Sequence, residues 1–349
     1  RFGVDDSSCA PIAFPSPALM ALSLAGDRGS RQAMAMQLLE EAKPYVDGLV
    51  AETRFVRRIR DRPARSGSYC GFRLPGLSWE PGTAPGVAIN KARQGLRVAI
   101  VNPASAYQVG GGFCSGGRHA LEEALCAQST LLFSLQEAER QAGAKGLRGV
   151  WGTGPYIPED GVVLSPGVVM LRHGTESNYV RLHDPLQLAA VVSLAMPNRN
   201  RLVTDSPMDP RRGREFQELL ENKFSALIEA VRMSRANVLI MPDVGCGVFQ
   251  NKPQEVGKVL GRVLREQHCS VQEVICVGST GFYRAVRESI EGRDGDGGGS
   301  RSFGGGNRRG RSCKGHRRYV NDDDSLACFM PWSFSAFFSA CFGRSRSFL

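Results

Sequence analysis

Ten cysteines stand at positions 9, 70, 114, 126, 246, 269, 276, 313, 328 and 341, yet none forms a C-x-x-C pair or a zinc-ligand spacing. A structural zinc motif is therefore excluded and no metal is expected. Several of these cysteines interrupt apolar runs, as Cys276 does in Val274-Ile275-Cys276-Val277. That is the pattern of buried reduced thiols, and it points to an intracellular, cytoplasmic or nuclear setting. No stretch of about 18 or more apolar residues occurs, which argues against a transmembrane helix and a membrane partner. Nor is there an internal repeat of about 20–50 residues, so a solenoid is excluded. Two common phosphate motifs also fail. The six-residue span from Gly112 to Gly117 matches a P-loop, but Arg118-His119 follows where Lys-Ser/Thr is required, and no G-x-G-x-x-G can be drawn through this region. Neither a P-loop ATPase nor a standard dinucleotide fold is supported, and no cofactor is expected.

What is present reads as a folded α/β protein with irregular ends. Hydrophobic residues make up 42% and charged residues 22% of the 349, an ordinary globular balance. The net charge is +10, of which residues 291–349 supply +4, from 10 Lys/Arg against 6 Asp/Glu. The remaining excess is compatible with a phosphate-bearing ligand without requiring one. Residues 1–30, rich in Pro, Ser, Ala and Gly, read as an irregular lead-in. Residues 31–90 read as a helical N-terminal extension and linker: apolar positions such as Met34, Leu38, Leu49, Phe55, Val56 and Ile59 recur at helical spacing, and 61–90 is rich in Pro, Gly and Arg. Residues 291–349 form a Gly/Arg-rich tail with linker character. A nucleic-acid contact through its basic stretch is the minor alternative. A monomer is expected.

Between these ends, residues 91–290 alternate strands and helices. Arg97–Val101 is a short buried strand, and a helix is predicted over 121–142. Strands follow at 162–164, 167–172 and 189–196, a helix at 214–235, a strand at 237–241, a helix at 253–267, a strand at 273–278 and a helix at 282–291. Such alternation predicts a sheet with helices packed on both faces. Ligands of these sheets sit beyond the carboxyl ends of strands, where loop and helix-start N–H groups are free. Both internal glycine loops, 110–112 and 245–247, fall at that position. A triple glycine means little alone, since Gly297–Gly299 and Gly304–Gly306 lie in the linker-like tail. After a strand and before a helix, however, glycines let the backbone approach a phosphate or ribose closely.

Chemistry enters with Glu122 and Glu123, which open the helix after the first loop. Acids at a helix start have a plain electrostatic explanation. Beside a phosphate-sized loop, they also supply what glycosidic cleavage needs: one acid to protonate the leaving oxygen and another group to orient a sugar hydroxyl. In the second loop, Asp243-Val244-Gly245-Cys246-Gly247-Val248-Phe249, backbone N–H groups can face a diphosphate. Phe249 either packs on a ribose or adenine face or fills the core. Thiol catalysis by Cys114 or Cys246 is disfavoured, because neither has a paired histidine in sequence. His119 reads as a rim residue.

The run Asn102-Pro103-Ala104-Ser105-Ala106-Tyr107-Gln108-Val109-Gly110-Gly111-Gly112, then eight residues, then Leu121-Glu122-Glu123, resembles the signature of poly(ADP-ribose) glycohydrolase-type macrodomains. That family includes bacterial effectors that remove mono-ADP-ribose. The loop Gly245–Asn251 resembles its diphosphate-binding loop. The resemblance implies a macrodomain-like α/β/α sandwich with a mixed central sheet, and ADP-ribose or ADP-ribosylated protein as partner. It implies Glu123 as catalytic acid and Glu122 as its orienting neighbour, with Asn102 at the distal ribose and Gly110, Gly111 and Gly112 around ribose and phosphate. Asp243, Gly245, Cys246, Gly247, Val248 and Phe249 would form the remainder of the ligand site. Leu121 stands where the family usually carries Gln, and Val109 where Pro commonly precedes the glycines. These departures leave open whether the bond cleaved joins two ADP-ribose units or joins ADP-ribose to protein. A reader that binds without cleaving is the alternative.

Overall fold

The computed structural model of the chain describes residues 28–58, 74–117, 120–148, 152–204 and 206–292. In chain order the elements are α1 (Arg28–Ala42), α2 (Asp47–Glu52), β1 (Arg54–Arg57), β2 (Gly76–Trp79), α3 (Ala84–Arg93), β3 (Val98–Pro103), α4 (Leu121–Gln128) and α5 (Leu131–Ala144). They continue with β4 (Gly161–Pro166), β5 (Val169–Arg172), β6 (Arg181–Gln187), β7 (Ala190–Leu194), α6 (Gly213–Ser234), β8 (Val238–Pro242), α7 (Pro253–Glu266), β9 (Glu273–Val277) and α8 (Thr280–Ile290). Among these helices, none is long and apolar enough to cross a membrane.

Seven strands make one sheet in the order β1-β4-β7-β3-β8-β9-β2, while β5 and β6 pair separately. The block β7-β3-β8-β9-β2 is parallel, and β4 and then β1 are added antiparallel at one edge. Side chains alternate between faces along a strand. Ala99 and Val101 of β3 accordingly belong to a core closed by α6, α7 and α8 through Leu227, Leu260 and Val286. Val98 and Ile100 belong to the opposite core, closed by α1, α3, α4 and α5 through Leu38, Ile89, Leu125 and Leu132. Cover on both faces accounts for the unbroken apolar runs of β3, β7 and β8. The result is the sheet with helices on both faces that the alternation predicts, and its strands are mixed in direction, as the resemblance implies.

Three local readings are corrected. Phe55 and Val56, read as helical, lie in β1, where they pair with Val163 and Val162 of β4; β-branched and aromatic residues take the state their neighbours offer. Within 61–90, read as linker, Gly76–Trp79 pairs in parallel with Glu273–Cys276. The following α3 is capped by Thr83 Oγ1, which accepts from the Gly86 N–H at 3.2 Å. Finally, the single helix expected over 121–142 is two. Ser129 and Thr130 leave the helical path because Thr130 N–H donates to the Val169 carbonyl at 3.1 Å while Thr130 Oγ1 accepts from Val169 N–H at 3.0 Å. Ser/Thr groups that find such partners compete with helix continuation. The readings of 1–27, 59–73 and 293–349 as lead-in, linker and tail, and that of His119, fall outside the described residues.

Candidate active site

Because β3 and β8 are adjacent and parallel, the loops that leave their carboxyl ends lie side by side. The first loop is folded onto the start of α4 by the two glutamates. Ser105 N–H donates to Glu122 Oε2 at 2.8 Å. Gly112 N–H donates to Glu123 Oε1 at 2.8 Å, and Ala120 N–H donates to Glu123 Oε2 at 3.1 Å. Glu123 thus caps its own helix and holds the triple glycine at once. Glycine is required at Gly111, where φ is +54° and a Cβ would overlap Glu123 Oε1.

Glu122 is only 4% exposed. Burial pushes its carboxyl up to about 8, and the neighbouring Glu123 charge adds to this. The Ser105 N–H, the Asn102 side chain and the Gly110 backbone oppose the shift. Asn102, fully buried at the end of β3, donates from Nδ2 to Ser193 Oγ at 3.1 Å. Its Oδ1 and Glu122 Oε1 are both buried and accept no well-formed hydrogen bond. Two buried groups without a hydrogen-bond partner beside the triple glycine, an amide oxygen and a carboxyl held largely protonated near neutral pH, suit a ligand rich in hydroxyls.

The N-terminal helix braces this loop from outside. Arg28 Nε donates to the Ser115 carbonyl at 2.7 Å, and Arg31 Nε to the Gly116 and Gly117 carbonyls at 2.9 and 3.1 Å. Sequence periodicity gave α1 its helical face but carried no sign of this clamp, which joins residues about 85 positions apart. Tyr179, buried at positive φ, lies near enough to Glu123 for that charge to raise its hydroxyl, although burial is the larger cause.

The second loop turns at Gly245, whose φ is +71° and whose Cβ would meet the Met196 Cβ at 2.6 Å. Asn251 Nδ2 ties it down by donating to the carbonyls of Pro197 and Gly245 at 3.0 and 2.9 Å. Gly247 is different: a Cβ there would meet nothing within 4 Å. The backbone N–H groups of Gly247, Val248 and Phe249 donate to no described residue, so this segment offers free donors to an anion. Val248 is 58% exposed, whereas Phe249 is half-buried and leans on the core. Asp243 accepts from Ser279 N–H at 3.0 Å, and burial raises its carboxyl. Burial pushes the Cys246 thiol up to about 12, which disqualifies it as a nucleophile near neutral pH.

One aromatic went unnoticed in the sequence. Trp79 ends β2 at the same carboxyl edge, 37% exposed, with its indole N–H donating to the Gly278 carbonyl at 3.1 Å. The signal was available in Thr83-Ala84-Pro85, a helix start that places a strand just before it. Among the described residues no cluster of three or more His, Cys, Asp or Glu could hold a metal ion. A recess of about 480 Å³ beside Tyr45, Leu49 and Gln187 contains none of the predicted site residues.

Comparison with known proteins bears on the same region. The family described as microbial-type PARG, catalytic domain, matches residues 83–173, which include the triple glycine and both glutamates. No curated protein matches the chain. Its fold is similar to that of poly(ADP-ribose) glycohydrolase from Thermomonospora curvata, with TM-score 0.59, 23% identity, and coverage of 75% of this chain and 99% of that one. The same enzyme bound to the inhibitor ADP-HPD aligns with TM-score 0.55 at 23% identity over 76% and 99% of the two chains. Poly(ADP-ribose) glycohydrolase from Deinococcus radiodurans in complex with ADP-ribose aligns with TM-score 0.53 at 21% identity over 72% and 98%.

Proposed function

We propose that this chain, which carries a PARG-type catalytic-domain match within a PARG-type fold, hydrolyses the glycosidic bond between ADP-ribose and a second group. The observation that carries this reading is the adjacency of β3 and β8. It brings a carboxylate pair wrapped by a triple glycine next to a loop with three free backbone N–H groups. A ligand with a sugar at the first loop and a diphosphate at the second fits that pairing. ADP-ribose, bound in the Deinococcus enzyme, has this form.

In the reaction, Glu123 gives a proton to the oxygen leaving C1″ as the ribose takes on oxocarbenium character. The same carboxylate then takes a proton from the water that attacks C1″. The products are ADP-ribose and the free hydroxyl of the leaving group. Glu122 and Asn102 supply two buried polar groups, a carboxyl and an amide oxygen, which align the ribose hydroxyls. Gly247 to Phe249 hold the diphosphate, and Trp79 stands where the adenine end would emerge past β9. The departures at Val109 and Leu121 favour a remodelled leaving-group side.

A second reading rests on one feature. Both Glu123 oxygens already accept backbone N–H groups, as in a helix cap with no catalytic duty, and the domain would then bind ADP-ribose without cleaving it. Release of ADP-ribose from poly- and mono-ADP-ribosylated substrates separates the two. Glu123→Ala is expected to lower release by about 100- to 10,000-fold while calorimetry still detects ADP-ribose binding. Equal release by wild type and variant would remove Glu123 from the mechanism, and tight binding with no turnover would favour the reader.

A further inference from the structure

The recess of about 480 Å³ lies where the turn between α1 and α2 meets the turn between β4 and β5. Its floor is apolar, built from the buried Leu49 and Val169. Pro44, Pro166 and Pro185 form walls without N–H donors. On the rim stand Tyr45, 40% exposed, and the exposed side chains of Asp47, Glu52 and Gln187. Neither carboxylate makes a hydrogen bond or ion pair with any described residue. Asp47 opens α2, where an acid has a plain electrostatic explanation, but Glu52 closes the same helix, where the dipole disfavours an acid and no basic residue in the last turn compensates it.

This recess stands at the far edge of the sheet from the candidate active site. Pro166 pairs with Ala190 at the start of β7, and Ala190 pairs with Ala99 at the start of β3. The triple glycine follows the other end of β3, after Pro103, roughly 13 Å further along at about 3.3 Å per residue. No residue of either glycine loop lines the recess, and neither Glu122 nor Glu123 does. Its charge also differs from that of the whole. The chain carries a net +10, yet the lining holds two acids and no Lys or Arg. An acidic partner is drawn to the rest of the surface, and a cationic one to this recess.

We propose that this recess docks an extended, arginine-bearing segment of a partner protein. A guanidinium lies flat over the Tyr45 ring and gives its forked N–H donors to Asp47 or Glu52, while its methylene stem covers the floor of Leu49 and Val169. The prolines of the walls are fixed before binding and present flat apolar faces to the segment. The Gln187 amide, both donor and acceptor, serves the main chain of that segment. Docking there leaves the glycine loops free, so partner and ligand are held at the same time, and it requires nothing of the glycosidic chemistry proposed above.

The test is fluorescence anisotropy of a labelled decapeptide that alternates arginine and proline, titrated with the full chain. The peptide is expected to bind, and to bind more weakly as salt rises. Tyr45→Ala and the double variant Asp47→Asn with Glu52→Gln should each weaken binding by about fivefold or more, the double variant through loss of two ion pairs. The three substituted side chains are exposed, so the fold persists in both proteins, which thermal melts check. Saturating ADP-ribose should change peptide affinity by less than about twofold, since the two places lie at opposite edges of the sheet. Wild-type affinity in both variants, absence of peptide binding, or displacement of the peptide by ADP-ribose would overturn the docking site. Free arginine binding as tightly as the peptide would overturn the protein partner in favour of a small cation.

Discussion

Substituting Glu122 by Gln should make the protein more stable and less active, with a pH signature that identifies the cause. The folded carboxyl is raised from 4.5 to about 8, chiefly by burial. Because the folded form holds its proton more tightly than the unfolded chain, no penalty exists below about pH 4.5. The penalty then grows as pH rises, and levels off above about pH 8. A shift of this size corresponds to roughly 4–5 kcal/mol of preference for the neutral form. Glutamine keeps an acceptor for the Ser105 N–H and brings an amide donor toward Asn102 Oδ1, so the variant escapes the penalty without orphaning a partner. Urea denaturation of both proteins at pH 5 and pH 9 measures the difference. Near-equal stability is expected at pH 5, and an advantage of roughly 4–5 kcal/mol for Glu122→Gln at pH 9. Taking the difference between the two proteins cancels other titrating groups. A stability difference that does not change with pH would refute the reasoning.

Gly111→Ala puts a Cβ into the Glu123 carboxylate at a residue with φ of +54°. It should cost about 1–2 kcal/mol from the left-handed backbone alone. Displacement of Glu123 should lower kcat/KM by about 100-fold; thermal melts and steady-state kinetics check the two effects. Arg31→Ala removes the clamp on the carbonyls of Gly116 and Gly117, a loss of about 1–2 kcal/mol. Hydrogen exchange should speed up selectively at Gly117 N–H, which donates to the Gly112 carbonyl at 2.7 Å. Uniform exchange rates in variant and wild type would show that α1 does not hold the loop.

Helices α6, α7 and α8 and strands β3, β8 and β9 were legible because each is long or apolar enough to dictate its own state, and each glycine loop announced itself by position after a strand. The stretches that misled were short and polar. Arg54–Arg57 and Gly76–Trp79 form the two outer strands of the seven-stranded sheet, a state they reach only by pairing with β4 and β9, which lie about 100 and 200 residues downstream. Their local pattern is weak because an edge strand draws its stability from a partner and not from its own periodicity.

For the site, the sequence by itself determined the ingredients: a triple glycine, two adjacent carboxylates, and a second glycine loop in fixed order along the chain. Tertiary structure decided their arrangement. Pairing of β3 with β8 set the two loops side by side. Burial split two adjacent glutamates into unlike groups, Glu122 raised in a closed polar pocket and Glu123 tied to Gly112 and Ala120. The clamp from Arg31 arose in the same way, from contacts between distant segments. Burial and charge coupling act through space, so neighbours in the chain can meet different environments, and only the fold assigns them.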